Sequence, residues 1–131
     1  MTDKKAHIVV KAVTMAYGSY VIQQNLSRLL AADSADVFSL AKSIPYDYSI
    51  AIDVMRLDGR LGDQVVLVAR WAMFGTDEDD LILLRKSKYT QTVSEDTYKG
   101  LVLAQSRAVE KLSQDIAKAI KKTLSNVKRK K

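Results

Sequence analysis

The chain has 131 residues, 47% of them hydrophobic and 27% charged, which is one domain's length with the means to bury a core and not a disordered composition. It holds no cysteine, so disulfides, a thiol nucleophile and thiolate metal ligation are excluded, and no apolar run approaches the ~18 residues of a membrane span. Against a net charge of +6, residues 116–131 carry seven cations and no acid, so residues 1–115 carry −1: a near-neutral body with a basic end.

The opening, MTDKKAHIVV, has no signal-type apolar region. His7–Val13 is a β-branched run and predicts a first strand. From Met15 to Ala32 the pattern is helical, with Ile22, Leu26, Leu29 and Leu30 on one face. Val37–Leu40 predicts a short second strand, ended before Ile44-Pro45, where proline lacks an N–H and restricts its predecessor. Tyr46–Leu57 alternates, with Tyr48, Ile50, Ile52 and Val54 on one side. DGRLGD reads as a hairpin turn, and Gln64–Phe74, QVVLVARWAMF, as the next strand. GTDEDD turns the chain into a last strand, Leu81–Tyr89, so three strands form an antiparallel meander. A long helix is predicted from Thr97 to Leu124, opened by the acids of Ser94-Glu95-Asp96-Thr97 and lined by Val109, Leu112, Ile116, Ile120 and Leu124. Gly100 should cost that helix about 1 kcal/mol relative to alanine.

Arg70 and Trp71 stand together inside an apolar strand. Successive residues face opposite sides, so Trp71 joins Val65, Leu67, Ala69 and Met73, and Arg70 joins Val66, Val68, Ala72 and Phe74. Pairing Leu57 with Gln64 would put Trp71 opposite Ile50, and Arg70 opposite Ala51 and diagonal to Asp53, within reach of an ion pair. Met55, Val66, Val68, Ile82 and Leu84 make the second face apolar too. Both faces should therefore be covered, by a helix on each or by another subunit.

Little in the residues points to catalysis. The single histidine, His7, has no Ser/His/Asp arrangement around it, and the acids of DGRLGD and TDEDD lack the spacing of a calcium loop. No phosphate loop or dinucleotide fingerprint occurs. The reading is a chain that is not an enzyme, with no catalytic residue, cofactor or metal site.

The order of QNLSRLL, YDYSIAIDVMRLDG, VVLVARWAMFG, an acidic turn and YKGLVLAQSRAVEKLSQDIAKAI resembles the ABC-type transport auxiliary lipoprotein family. These are the PqiC-like components of paraquat-inducible, MCE-type lipid transport systems. The likeness spans roughly residues 20–122, most specifically at Leu67–Trp71, Asp58-Gly59 and Ala104–Arg107. It implies an accessory protein of the Gram-negative envelope, periplasmic and held at the outer membrane. It also implies a homo-oligomer that works with an MCE-type ring or tunnel protein and supports membrane integrity.

The expected fold is an α/β domain over residues 1–124. A mixed five-stranded sheet, β-α-β-β-β-β-α, has helices on both faces, and the family resemblance implies the order 2-1-3-4-5, as in anticodon-binding-type domains. Residues 125–131 are expected to form a mobile basic tail. Lys121, Lys122, Lys128, Arg129, Lys130 and Lys131 are the candidate contacts to an anionic surface, such as lipid head groups. The alternative function is a small nucleic-acid-binding module using that tail. A nucleic-acid binder more usually spreads its positive charge over a folded face.

Overall fold

In the computed structural model, residues 6–12, 16–33, 35–39, 45–77 and 79–129 are described. Along the chain lie β1 (Ala6–Ala12), α1 (Ala16–Leu29), β2 (Ala35–Ser39), β3 (Tyr48–Gly59), β4 (Gln64–Phe74), β5 (Leu81–Thr92) and α2 (Tyr98–Arg129). The strands form one mixed sheet in the order β2-β1-β3-β4-β5, as expected. β1 runs parallel to β2 and β3, while β3, β4 and β5 are antiparallel. A β1–α1–β2 crossover returns the chain to the sheet by the helical route that parallel pairing needs.

Both helices pack on the same face, which corrects the expectation of a helix on each side. They touch each other closely. A single buried cluster joins Ile22, Leu26 and Leu30 of the α1 segment to Ala104, Ala108, Leu112, Ile116 and Ile120 of α2. Under them lie Ile8, Val10, Ile50, Ile52, Leu67, Ala69, Trp71 and Met73, the residues of one sheet side. Two helices side by side are wide enough to cover the strands, so the apolar stripes meet in one core. Small residues Ala104 and Ala108 let α2 approach closely near its start. Asn25 donates from Nδ2 to Ser113 Oγ at 3.1 Å, and that hydroxyl donates to the Val109 carbonyl at 2.8 Å. Arg28 pairs with Glu110, and Lys121 with Asp33 at 3.7 Å, along the rim of the helix pair.

The hairpin register also differs from the sequence expectation. Trp71 lies opposite Ile52, and Arg70 directly opposite Asp53. A bulge between Val54 and Arg56 takes up Met55, and beyond it Leu57 pairs with Leu67 and Gly59 with Val65. The bulge swaps the phase of alternation, so Leu57 still points to the helices. The turn itself closes with the Asp63 N–H on the Arg60 carbonyl, and Gly62 takes φ of 70°, the left-handed region that favours glycine.

At the start of α2, the Gly100 N–H donates to Thr97 Oγ1 at 3.0 Å, a helix cap. A Cβ on Gly100 would sit 2.6 Å from the Glu95 carbonyl oxygen. The helix-propensity expectation therefore reverses sign here. Gly100→Ala should destabilise by about 1–3 kcal/mol through overpacking, where propensity alone favours alanine; a denaturant midpoint measures the direction. α2 continues as helix to Arg129, past Leu124 where the sequence pattern ends it.

Candidate interaction surface

The second side of the sheet carries Ser49, Ala51 and Asp53 from β3, Val66, Val68, Arg70, Ala72 and Phe74 from β4, and Leu84, Lys86 and Lys88 from β5. Among the described residues neither helix covers it. Toward β1 it is closed in: Val9 and Ser49 are buried. Toward β5 it is open, with Leu84 55% and Ile82 39% exposed. Between these halves runs a shallow groove of about 130 Å³, walled by Ala51, Asp53, Arg70, Ala72, Phe74 and Leu84. Small side chains on β3 and β4 make its floor.

Arg70 is exposed and reaches Asp53 Oδ2 from Nη2 at 3.5 Å. A solvated pair of this kind contributes little stability. Its consequence is electrostatic: the carboxylate offsets one cation, while Lys86 opposite Arg70 and Lys88 opposite Val68 keep the β4–β5 half positive. Trp71, one residue on, turns to the helices and is 3% exposed, its indole N–H donating to Ser87 Oγ at 3.2 Å. The question posed by an arginine inside QVVLVARWAMF resolves as one strand with two environments.

Beside the hairpin lies a polar recess of about 320 Å³, lined by Arg56, Asp58, Arg60, Asp63 and Gln64. Arg56 and Asp58 are paired across its wall. Among the described residues no group of three or more His, Asp or Glu side chains is placed to hold a metal ion. His7 has a structural role: its N–H donates to Asp47 Oδ2 at 2.8 Å and its carbonyl accepts from the Asp47 N–H at 2.8 Å. This pins the approach to β3 against β1.

Tyr89, on the helix side of β5, donates its hydroxyl to Asp115 of α2. Burial, with the Asp115 contact adding to it, pushes its pKa up to about 12. The neutral phenol is the form the fold favours, so this contribution is complete below pH ~10 and is lost as pH rises toward 12. Tyr89→Phe should flatten the stability profile over that range, read by thermal unfolding at pH 9 and pH 11.5.

Of the candidate basic contacts, Lys121 and Lys122 are exposed on α2, the former paired with Asp33. Lys128 and Arg129 belong to its last turn. Lys130 and Lys131 lie outside the described residues. For the β5 side of the sheet the sequence left two covers open, a helix or another subunit, and among the described residues no helix covers it.

No described helix is long and apolar enough to cross a membrane. A comparison with curated proteins finds no match. Several solved structures share the fold. One is a Xanthomonas campestris protein of the DUF330 family, with a TM-score of 0.71 and 11% identity, covering 98% of this chain and 90% of that one. A putative lipoprotein from Caulobacter crescentus aligns with a TM-score of 0.55 and 18% identity, over 95% and 92% of the two chains. PelC from Paraburkholderia phytofirmans, a dodecamer, aligns with 0.56 and 15%, over 82% and 84%. At such identities the likeness is one of fold. The sequence itself matches a family model across residues 19–117, from within α1 to within α2 and through the strands β2 to β5 between them. On that match the chain belongs to the family of ABC-type transport auxiliary lipoprotein components.

Proposed function

We propose that this chain is a non-enzymatic accessory component of an envelope ABC/MCE-type lipid transport system. It works at the periplasmic side of the outer membrane through protein–protein contacts, as a homo-oligomer, and supports membrane integrity. The observation that carries this reading is the half-bare sheet: both helices lie on one side, leaving Leu84, Ile82 and the Ala51–Phe74 groove toward solvent. An exposed apolar surface rimmed by charge is the usual mark of a binding face. Family membership supports the transport setting. The dodecameric state of the PelC neighbour supports oligomerisation. The test is co-purification of the full chain with an MCE-type protein of the same organism. A stable complex is expected; two proteins that elute separately at micromolar concentration would overturn the partner.

We also propose that the basic end of α2, with Lys121, Lys122, Lys128, Arg129, Lys130 and Lys131, adds a weak contact to anionic lipid head groups. The run of cations without an acid supports it, at about 1 kcal/mol per cation near such a surface. Neutralising Lys128, Arg129, Lys130 and Lys131 should abolish binding to phosphatidylglycerol vesicles at low salt. Unchanged binding would leave these residues as a solvated helix end.

A further inference from the structure

β5 is an edge strand, with β4 as its only strand neighbour among the described residues. It runs twelve residues and contains no proline, whereas the opposite edge, β2, has five residues. From Leu83 to Thr92 its register on β4 is unbroken. One position beyond that register the Val93 N–H donates to the Asp63 carbonyl at 2.8 Å, which fixes the phase of the ladder. Leu83, Arg85, Ser87, Tyr89 and Gln91 therefore turn their backbone groups to β4, and Leu84, Lys86, Lys88 and Thr90 turn theirs outward. The contact of Arg85 Nη1 with the Leu84 carbonyl, at 3.3 Å, agrees with that direction.

The same outward-turned residues place Leu84, Lys86 and Lys88 on the open face. No acid occurs from Leu81 to Ser94. Among the described residues neither Lys86 nor Lys88 pairs with a carboxylate. Like charge keeps a second β5 away. Antiparallel self-pairing centred on Arg85, Lys86 or Lys88 stacks a cation on itself, and centring it on Ser87 sets Lys86 against Lys88. Those charges complement an acidic strand instead. Leu84, 55% exposed, adds an apolar contact two residues before Lys86. The edge is neither short, bulged between Leu83 and Thr92, nor broken by proline, so charge decides what it accepts.

We propose that the β5 edge takes an extended acidic segment of a partner protein as a sixth, antiparallel strand. Carboxylates of the segment lie opposite Lys88 and Lys86, and an apolar residue lies opposite Leu84. The antiparallel direction follows because this part of the sheet is open to water on one side, which parallel pairing seldom tolerates. From its N-terminus the segment reads acid-x-acid-x-apolar, a period of two that sets all three side chains on the open face. The outward N–H and C=O groups supply the hydrogen bonds, and charge selects the sequence. The proposal rests on the protein–protein reading above but not on which protein supplies the segment.

The probe is a synthetic peptide with glutamate at two alternate positions, leucine two positions further on and threonine elsewhere, titrated into the full chain at low salt. Saturable binding is expected. The amides of Lys86 and Lys88 should become protected from hydrogen exchange, while those of Arg85 and Ser87 are protected in the free chain already. Lys86→Glu combined with Lys88→Glu should weaken binding at least about tenfold, since two attractive pairs become repulsive, and should accept the matching lysine peptide. Both side chains are exposed, and circular dichroism checks the fold of the variant. The glutamate peptide N-methylated at its two glutamates and its leucine should not bind, because the ladder is blocked while the charge stays. No binding up to about 1 mM peptide would overturn the proposal. So would unchanged exchange at Lys86 and Lys88, or equal binding of the N-methylated peptide, which would show attraction by charge alone. An MCE-type complex without peptide binding would sink this proposal alone; peptide binding without an MCE-type complex would sink the partner reading alone.

Discussion

Trp71→Ala is expected to destabilise the protein by about 3–5 kcal/mol, the range for truncating a large buried aromatic. The side chain is 3% exposed, and its indole N–H is bonded to Ser87. It sits on β4 between Ile52 of β3 and Arg85 of β5, under the helix pair. The substitution leaves a cavity under the helix pair, and it removes the indole donor to Ser87 Oγ. Against a typical total of about 5–15 kcal/mol, this is a large fraction. Chemical denaturation measures it. A midpoint close to the parent's would place the indole outside the core.

The second large effect separates the two sides of the sheet. Leu112→Ala, in the middle of α2 and fully buried, should cost about 2–5 kcal/mol. Leu84→Ala, on β5 and 55% exposed, should stay within about 0.5 kcal/mol of the parent. The contrast follows from both helices sharing one face. A helix on each side would make Leu84 a core residue, and the two variants would then lose stability alike. The same pair of unfolding curves decides between these arrangements.

Most element positions were legible because period-two and helical patterns are strong in this sequence, while the strand order was available only through the family resemblance. QVVLVARWAMF coincides with β4 from end to end. The register failed at the turn: Leu57 pairs with Leu67 and not with Gln64, a shift of three residues, of which the bulge at Met55 takes back one. The signal was present: the apolar phase moves from Ile50, Ile52 and Val54 to Leu57, and such a slip marks one extra residue. The turn shift of three less that one residue brings Asp53 directly opposite Arg70, where Ala51 was expected.

The side on which each helix packs was not legible. Each helix has one apolar stripe, and the sheet has two apolar sides, so composition permits either arrangement. What decides it is contact between the helices, through Asn25 and Ser113, a pair 88 residues apart. A serine within the α2 stripe gave no sequence sign of a partner. The close approach of Gly100 to Glu95 was hidden in the same way, because propensity describes an isolated helix and not the chain folded back before it. On β5 the apolar residues were visible, but an exposed run and a buried run look alike until the covering layer is known.

The uncovered side of the sheet is the face proposed to receive the partner. The most direct measurement is a calorimetric titration of the proposed partner, the soluble part of an MCE-type protein, into the parent chain and into Ala51→Arg. Ala51 lines the groove on the central strand β3, away from the β5 edge, so the larger side chain fills the groove without touching that edge. With unfolding curves confirming that both proteins are folded, the account predicts binding by the parent and loss of at least about tenfold in affinity for the variant. Equal affinity in the two would contradict it.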